Sequence, residues 1–190
     1  MVGSEVRRMA TLVSATAPAT VPLEEYLRTS YRPDCEWIDG KVRERNMGEL
    51  PHSSVQKFLV RFFGNREKEL GLRVYPELRL QVSAERYRVP DVMVIRASDP
   101  VDEIVRVAPM LCIEILSRDD RMSEMQEKID DYLGMGVEVV WLVDPRRRKA
   151  FVVDERGGQQ PVEELVVPGT AIRVGVGEVF AELDELEGRG

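Results

Sequence analysis

The sequence predicts an α/β domain in which a central mixed sheet is flanked by helices. Two observations support this fold class. Apolar residues recur at helical spacing in two long segments, and other segments are apolar or β-branched nearly throughout, as in strands covered on both faces. Along the chain the order is helix, three strands, helix, strand. A length of 190 residues suits one domain with short appendages.

Both ends of the chain are expected to lie outside the folded domain. Residues 1–20 are rich in small residues, Ser and Thr and show no periodicity, which is typical of a disordered tail. Residues 21–182 form the predicted single domain. The charged residues 183–190 are expected to be frayed.

The first elements of the domain are predicted to be a short helix and a hairpin. Pro22 suits a helix start, and the apolar residues behind it indicate a short helix over residues 22–30. A β-hairpin is predicted over residues 35–45, because the dipeptide Asp39-Gly40 tolerates the positive φ angles of a tight turn.

Two longer helices are predicted, over residues 52–70 and 122–135. In the first, Val55, Leu59 and Phe62 recur on one helical face. The second has an apolar stripe along one side and ends at glycines. Both are therefore expected to pack one face against the sheet.

Strands are predicted over residues 72–83, 87–95, 109–117 and 137–145. The last three are apolar or β-branched almost throughout, which is typical of the middle of a sheet. Residues 146–180 contain further strand-like pieces separated by turns. We expect these pieces to form C-terminal edge strands.

Composition argues against several classes of protein. No segment reaches the roughly 18 apolar residues of a membrane helix, and the N-terminus lacks the apolar region of a signal peptide, so we expect a cytoplasmic protein without membrane contact. Cys35 and Cys112 lack metal-site spacing and are expected to be reduced thiols. The net charge of -7 argues against a nonspecific nucleic-acid coat, although a bound metal ion would add positive charge that this count omits.

Asp91 and Glu114 are the acidic residues that interrupt predicted buried strands. An ionised carboxylate buried without a partner costs several kcal/mol, so each needs a cation, a hydrogen-bond network or a shifted pKa. A strand-end carboxylate paired with arginine is the structural alternative for either residue alone. Neighbouring strands lie about 4.8 Å apart, so two carboxylates on one face can share a divalent ion. Oxygen ligands favour Mg²⁺ or Mn²⁺ over zinc.

Lys128 is the candidate for a third catalytic group. On a helical wheel it borders the apolar stripe beside Met125 and Tyr132, so its amine can face the strands. There it would orient the attacking water and offset charge in the transition state. A lysine at the rim of a core helix can also simply extend its amine to solvent, and the sequence leaves both interpretations open.

Three further residues are weaker candidates. His52, the single histidine, opens the first long helix and is predicted either to support the site or to act as a general base; capping or packing is the alternative. Arg118 and Arg121 follow the Glu114 strand and can contact nucleic-acid phosphates. Arginine-rich turns are also common simply because arginine side chains are well hydrated at a protein surface.

Several motifs in this chain resemble a bacterial family of putative restriction endonucleases, a branch of the PD-(D/E)XK nuclease superfamily. They are LEEYL, EWIDG, His52 at a helix start, VPDVMVI, IEILS and EKIDDYLGMGVEVVWLVDP. The resemblance covers about residues 22–155, and the segment from Glu114 to Pro145 is its most specific part.

The resemblance implies a restriction-endonuclease-like αβββαβ core. Asp91 matches the acidic residue of the Pro-Asp element, and Glu114 matches the acidic residue of the next strand. The superfamily usually has a lysine two residues after that glutamate, where this chain has Leu116. The matching basic residue is Lys128 in the following helix. Glu36 and His52 also match positions where the family commonly has these residue types.

The leading hypothesis from the sequence is a Mg²⁺-dependent endonuclease that acts on nucleic acid, most simply DNA, with Mn²⁺ as a substitute ion. Asp91 and Glu114 would bind the metal and Lys128 would stabilise charge. The alternative is a catalytically degenerate nuclease fold that serves as a nucleic-acid-binding or assembly module. A hydrolase for another phosphoester is a third interpretation. Because small nucleases often need two subunits to cut both strands, we expect a homodimer.

Overall fold

The computed structural model describes residues 20–46, 48–157 and 160–189. The predicted disordered tail, residues 1–20, lies outside the described residues except for Thr20. Within this part of the chain the strands form sheets of six, four and two strands. The elements, in chain order, are α1 (Leu23–Arg28), β1 (Cys35–Ile38), β2 (Lys41–Glu44), α2 (Leu50–Gly64), α3 (Glu67–Leu70), β3 (Leu72–Pro76), β4 (Leu80–Ser83), β5 (Arg86–Arg88), β6 (Val92–Arg96), β7 (Leu111–Ile115), α4 (Met122–Met135), β8 (Val139–Asp144), β9 (Lys149–Val153), β10 (Pro161–Val162), β11 (Glu164–Val166), β12 (Arg173–Gly175) and α5 (Val176–Leu186).

The six-stranded sheet is the predicted central mixed sheet. Its strand order is β10-β9-β8-β7-β6-β3. Strands β7 and β8 pair in parallel, and the other neighbours are antiparallel. A parallel pair needs a crossover connection, which α4 supplies. Every residue of β7 and β8 is buried, as their apolar sequences predict.

Helices cover both faces of this sheet, so the predicted fold class is confirmed. On one face, Val55 and Phe63 of α2 and Phe180 of α5 pack in a core with Ile113 and Trp141 of the sheet. The other face packs against α4, in a second core formed by Met93, Cys112, Met125, Ile129 and Leu142, among others. Side chains alternate along a strand, so neighbouring residues of β7 belong to opposite cores.

The N-terminal hairpin is also confirmed. Strands β1 and β2 are antiparallel, with Ile38 opposite Lys41. Asp39 and Gly40 both have positive φ, 50° and 82°, as the tight turn requires. The hairpin joins β5 and β4 in the four-stranded sheet, in the order β2-β1-β5-β4.

Two of the predicted strands are each divided between the two sheets. The strand expected over residues 72–83 is β3 and β4, separated at Glu77, whose φ is 52°. The strand expected over residues 87–95 is β5 and β6, separated at Pro90, which has no N–H to donate to a ladder. The chain therefore passes from one sheet to the other and back, and Asp91 lies at the second crossing.

The C-terminal prediction was partly wrong. Strand-like pieces were expected as far as Phe180 and a frayed end over residues 183–190, but residues 176–186 form α5. Val176, Val179, Phe180 and Leu183 are buried along one side of this helix. Val176, Val179 and Phe180 pack in the same core as α2, and that burial stabilises the helix against fraying.

Two shorter findings complete the fold. The helix predicted over residues 52–70 is interrupted at Asn65–Arg66, which divides it into α2 and α3. Cys35 and Cys112 are both buried and free, as expected. Among the described helices, none has the length and apolar character that crossing a bilayer requires.

Candidate active site

An open cavity lies where the hairpin, the start of α2, the ends of β6 and β7 and the middle of α4 meet. With the solvent at its mouth it has a volume of about 650 Å³. The predicted residues His52, Asp91, Glu114 and Lys128 all line it. The fold therefore brings these four residues together from separate elements, although it does not by itself assign them roles.

Strand register explains why the two carboxylates converge. In the β6–β7 pair, Val92 lies opposite Ile113 and Met93 opposite Cys112. Continued by one residue, this register sets Asp91 opposite Glu114. Both side chains then share the face of Met93 and Cys112, because side chains alternate along each strand. This is the face that α4 covers.

Asp91 is buried and bound by groups from three directions. Its Oδ2 accepts a hydrogen bond of 2.7 Å from the backbone N–H of Ile115 and lies 3.2 Å from Nε2 of His52. Its Oδ1 is paired with the guanidinium of Arg45. Burial alone would raise the pKa of Asp91, but the hydrogen bond and charge of His52 and the charge of Arg45 outweigh it and hold the pKa below its usual value.

Glu114 is buried in a more negative environment. Its Oε1 accepts a hydrogen bond of 2.5 Å from the hydroxyl of Tyr132, and its Oε2 lies 3.2 Å from Nζ of Lys128. Burial is the main reason that its pKa rises to about 7. Lys128 opposes this shift, whereas the carboxylates of Asp91 and Glu36 add to it. Additional positive charge at this position would favour the ionised form of Glu114.

Lys128 extends from α4 to the two buried glutamates, as the helical wheel suggested. Its Nζ lies 3.2 Å from Oε2 of Glu114 and 3.2 Å from Oε1 of Glu36. Burial would lower the pKa of the amine, but the charges of Glu114, Glu36 and Asp91 raise it above the usual lysine value. Lys128 is therefore a fixed cation at neutral pH.

His52 lies in the first turn of α2 and supports Asp91. Burial would lower its pKa, but the hydrogen bond with Asp91 and the charge of that carboxylate raise it above the usual value. The other ring nitrogen, Nδ1, is buried and has no hydrogen-bond partner among the described residues. The ring is thus held by Asp91 and its free nitrogen is shielded from solvent.

The two candidate arginines differ in position. Arg121 lines the mouth of the cavity, with 79% of its side chain exposed. Arg118 is outside the described lining; it is exposed, and its Nε lies 3.8 Å from Glu49. Both were predicted to contact nucleic-acid phosphates, and that stays a prediction. Because β7 ends at Ile115, the alternation of a strand does not fix where either side chain points.

Comparison with known proteins identifies the family. The family model described as "Uma2: Putative restriction endonuclease" matches residues 23–176. The chain belongs to the Uma2 family. The Uma2 match includes all four residues that were predicted to form the site and that line the cavity.

A solved crystal structure supports the same fold. A crystal structure of a "putative nuclease belonging to DUF820" from Anabaena variabilis ATCC 29413 is 25% identical, with a TM-score of 0.74; the match covers 86% of this chain and 99% of that one. A cryo-EM structure of a DrdV–DNA complex is 18% identical, with a TM-score of 0.42; it covers 71% of this chain and 11% of that one. A comparison with curated proteins gave no match. This Uma2 protein therefore has a nuclease-type, restriction-endonuclease-like fold.

Several residues in and beside the cavity were not predicted from the sequence. Arg45, Arg88 and Tyr132 all contact the acidic residues. Arg88 lies in a short strand and Arg45 follows one, and arginines at such positions are ordinarily expected to be solvated. Tyr132 was assigned only to the apolar stripe of α4. Glu36 was noted for its match to the family, and β1 places it beside Lys128. Its position inside the otherwise apolar strand CEWI is the signal that could have identified it.

The donor groups of the site fit a hard divalent cation such as Mg²⁺. Asp91 and Glu114 supply carboxylate oxygens on one face. Oδ1 of Asp91 and both oxygens of Glu114 each have one partner among the described residues, which leaves a lone pair for an ion, whereas Oδ2 of Asp91 has two partners. Burial, with a smaller contribution from the carboxylates of Asp91 and Glu36, raises the pKa of Glu114, and an added cation would favour its ionised form. Among the described residues no group of three or more His, Cys, Asp or Glu is arranged to hold an ion. Mg²⁺ is commonly held by one or two carboxylates, with water and substrate phosphate as its other ligands.

Proposed function

We propose that this Uma2 protein is a Mg²⁺-dependent endonuclease that hydrolyses phosphodiester bonds in DNA. The observation that supports it best is the convergence of Asp91, Glu114 and Lys128 on one open cavity. Family membership supports the nuclease class. The metal, the DNA substrate and the roles of individual residues are our proposals.

Asp91 and Glu114 would hold the metal ion. Once bound, the ion would supply positive charge against a substrate phosphate and make water a better nucleophile. The protein's own contribution is to orient both carboxylates and to keep Asp91 ionised. The Ile115 N–H and His52 orient Asp91, and the hydroxyl of Tyr132 orients Glu114.

Lys128 would stabilise the negative charge that develops on the phosphate oxygens during in-line attack. Its raised pKa means that it stays protonated at neutral pH and so cannot serve as a general base. Two acceptors fix the amine before substrate binds, Glu36 and Glu114. A cation held in place in this way loses little energy to reorganisation in the transition state.

His52 fits a supporting role better than that of a general base. Its Nε2 is engaged with Asp91 and its Nδ1 is buried. A base must lie within hydrogen-bond reach of the proton it removes, and neither nitrogen is free to face the cavity. We assign His52 to the orientation of Asp91.

Cleavage assays on the full chain test the proposal. The protein would be incubated with plasmid, single-stranded DNA and RNA, with Mg²⁺ or Mn²⁺ against a chelator. We expect metal-dependent cutting of DNA that falls at least about 100-fold in Asp91→Asn, Glu114→Gln and Lys128→Met. Glu124→Gln is the matched control, because Glu124 also lines the cavity but is exposed. Cutting that survives in Asp91→Asn, or that persists in chelator, would overturn the assignment.

Oligomeric state is a separate part of the proposal. One cavity of this size contacts one strand, so cutting both strands of a duplex calls for two sites, which a homodimer would provide. Light scattering on the purified protein should give twice the chain mass of 21.6 kDa, and with duplex DNA it should give that mass plus the mass of the DNA. A monomer that nevertheless makes double-strand cuts would refute it.

One observation favours a second candidate, a degenerate nuclease fold that binds without turnover. Both oxygens of Asp91 already have partners, one in Arg45 and the other in His52 and the Ile115 N–H. If these contacts exclude the ion, thermal unfolding will be the same with and without Mn²⁺ in wild type and in Glu114→Gln. A metal-binding site instead predicts that Mn²⁺ stabilises the wild type and not the variant.

A further inference from the structure

Arg45 is a largely buried cation to which the proposed reaction assigns no role. It directly follows β2, and only 12% of its side chain is exposed. One side of the guanidinium is paired with Oδ1 of Asp91, and the other lies 3.4 Å from Oε1 of Glu77. Asp91 is buried, whereas Glu77 is about half exposed. The arginine thus links a carboxylate inside the cavity to one at the surface.

Arg45 and a divalent ion require the same carboxylate. Of the two Asp91 oxygens, Oδ2 is held by the Ile115 N–H and by His52, so Oδ1 has fewer competing donors. That oxygen is the one paired with Arg45. A divalent ion placed at Oδ1 would repel the guanidinium, because like charges a few ångströms apart in a buried site interact strongly.

Displacement from Asp91 would leave Arg45 within the cavity. It lines the same cavity as Glu114 and Lys128, and Glu77 would still bind its other side. A guanidinium stays protonated in any protein environment and matches the geometry of phosphate oxygens with two parallel hydrogen bonds. When nucleic acid is bound in the cavity, a backbone phosphate is the new acceptor that fits the guanidinium of Arg45.

We propose that Arg45 changes partner during the reaction cycle, pairing with Asp91 in the metal-free protein and with a substrate phosphate once a divalent ion holds Asp91. This inference rests on the proposed metal-dependent nuclease function. Arg45 then has two effects of opposite sign. It weakens metal binding in the absence of substrate, and it strengthens substrate binding or transition-state stabilisation when metal is saturating.

Mn²⁺ titrations followed by thermal unfolding measure the first effect without any substrate. Arg45→Gln should bind Mn²⁺ about tenfold more tightly than wild type, because the competing cation is gone. Glu77→Gln removes the outer partner only, so Arg45 pairs more fully with Asp91 and Mn²⁺ binding should weaken by about threefold. Arg106→Gln, which removes an exposed arginine–aspartate pair, is the control and should leave the affinity unchanged.

Single-turnover cleavage at saturating Mn²⁺ measures the second effect. Arg45→Gln should cut at least about tenfold more slowly than wild type despite its tighter metal binding, and Arg45→Lys should recover part of the rate. Glu77→Gln gives an independent result if Arg45→Gln fails to fold, since Glu77 is at the surface.

The outcomes separate this inference from the proposed function. A wild type that shows neither Mn²⁺ stabilisation nor cleavage overturns both. A wild type that binds Mn²⁺ and cuts DNA, together with an Arg45→Gln variant that binds Mn²⁺ no more tightly, overturns the exchange at Asp91 alone. Tighter Mn²⁺ binding with an unchanged cleavage rate supports competition at Asp91 and overturns the phosphate contact.

Discussion

Replacement of Arg88 by methionine should strongly destabilise the protein. Arg88 lies on β5 and is only 1% exposed. Its Nη1 donates a hydrogen bond of 2.8 Å to Glu36, and its Nε donates one of 2.7 Å to Asp131 on α4. Methionine has a similar length but no charge, so the substitution removes the cation while filling much of its space.

The magnitude follows from what each carboxylate retains. Removing one partner of a buried ion pair typically costs about 3–5 kcal/mol, because the other charge stays buried. Glu36 keeps Lys128 at 3.2 Å and the Val89 N–H at 3.2 Å, and Asp131 keeps Arg86 at 2.9 Å. We therefore expect the lower end, about 3 kcal/mol in the free energy of unfolding. For a chain of this size that corresponds to a fall of roughly 6–12 °C in melting temperature.

Urea unfolding of four variants, Arg88→Met, Arg86→Met, Glu36→Gln and the double variant Glu36→Gln/Arg88→Met, would check this prediction. Arg86→Met is the control, because Arg86 pairs with the same aspartate but is more exposed, and its loss should cost about 1 kcal/mol or less. The double variant Glu36→Gln/Arg88→Met lacks both the buried carboxylate and its partner. Its loss in free energy of unfolding should therefore be smaller than the sum of the losses in the two single variants. Equal losses for Arg88→Met and Arg86→Met, or strict additivity in the double variant, would refute the reasoning.

Three further predictions follow from the packing and the site. Leu183→Ala should lower the free energy of unfolding by about 2–5 kcal/mol, because this α5 side chain is fully buried, whereas Leu186→Ala at an exposed position should change it by less than about 0.5 kcal/mol in urea unfolding. Tyr132→Phe should keep the packing but weaken Mn²⁺ binding about tenfold in thermal titrations, since Glu114 loses its hydroxyl donor. Both cysteine thiols should resist a thiol reagent at pH 8 and react only on unfolding, because burial raises the pKa of each above its usual value; fast labelling of the native protein would contradict this.

The sequence predicted the sheet well because its strands are unusually uniform. Strands β7 and β8 are buried on both faces, so every position is apolar except Glu114 and Asp144, and the pattern cannot be confused with a solvated strand. The C-terminal helix was missed even though Val176, Val179, Phe180 and Leu183 have helical spacing. The valines and glycines at its start have low helix propensity, and packing against α2 outweighs that preference.

The sequence identified those cavity residues whose side chains do not fit the apolar pattern of the strand around them. Asp91 and Glu114 stand out because a carboxylate in a buried strand needs an explanation. Arg45 and Arg88 do not stand out, since arginine in a short strand or turn is ordinary. Arg45 is enclosed by its contacts with Asp91 and Glu77, and Arg88 by its contacts with Glu36 of β1 and Asp131 of α4. These are long-range contacts that local sequence does not encode.

In the proposed site, the lysine comes from a different chain position than in the usual superfamily pattern. A lysine two residues after a strand carboxylate shares its face because side chains alternate, so the strand alone fixes its position. In this chain Leu116 occupies that position, and the amine comes from α4. A long side chain from a helix has more freedom, which must be restrained by acceptors. Glu36 and Glu114 supply them, each 3.2 Å from the Lys128 amine. A lysine on α4 therefore needs the hairpin that carries Glu36, because without it only Glu114 would hold the amine.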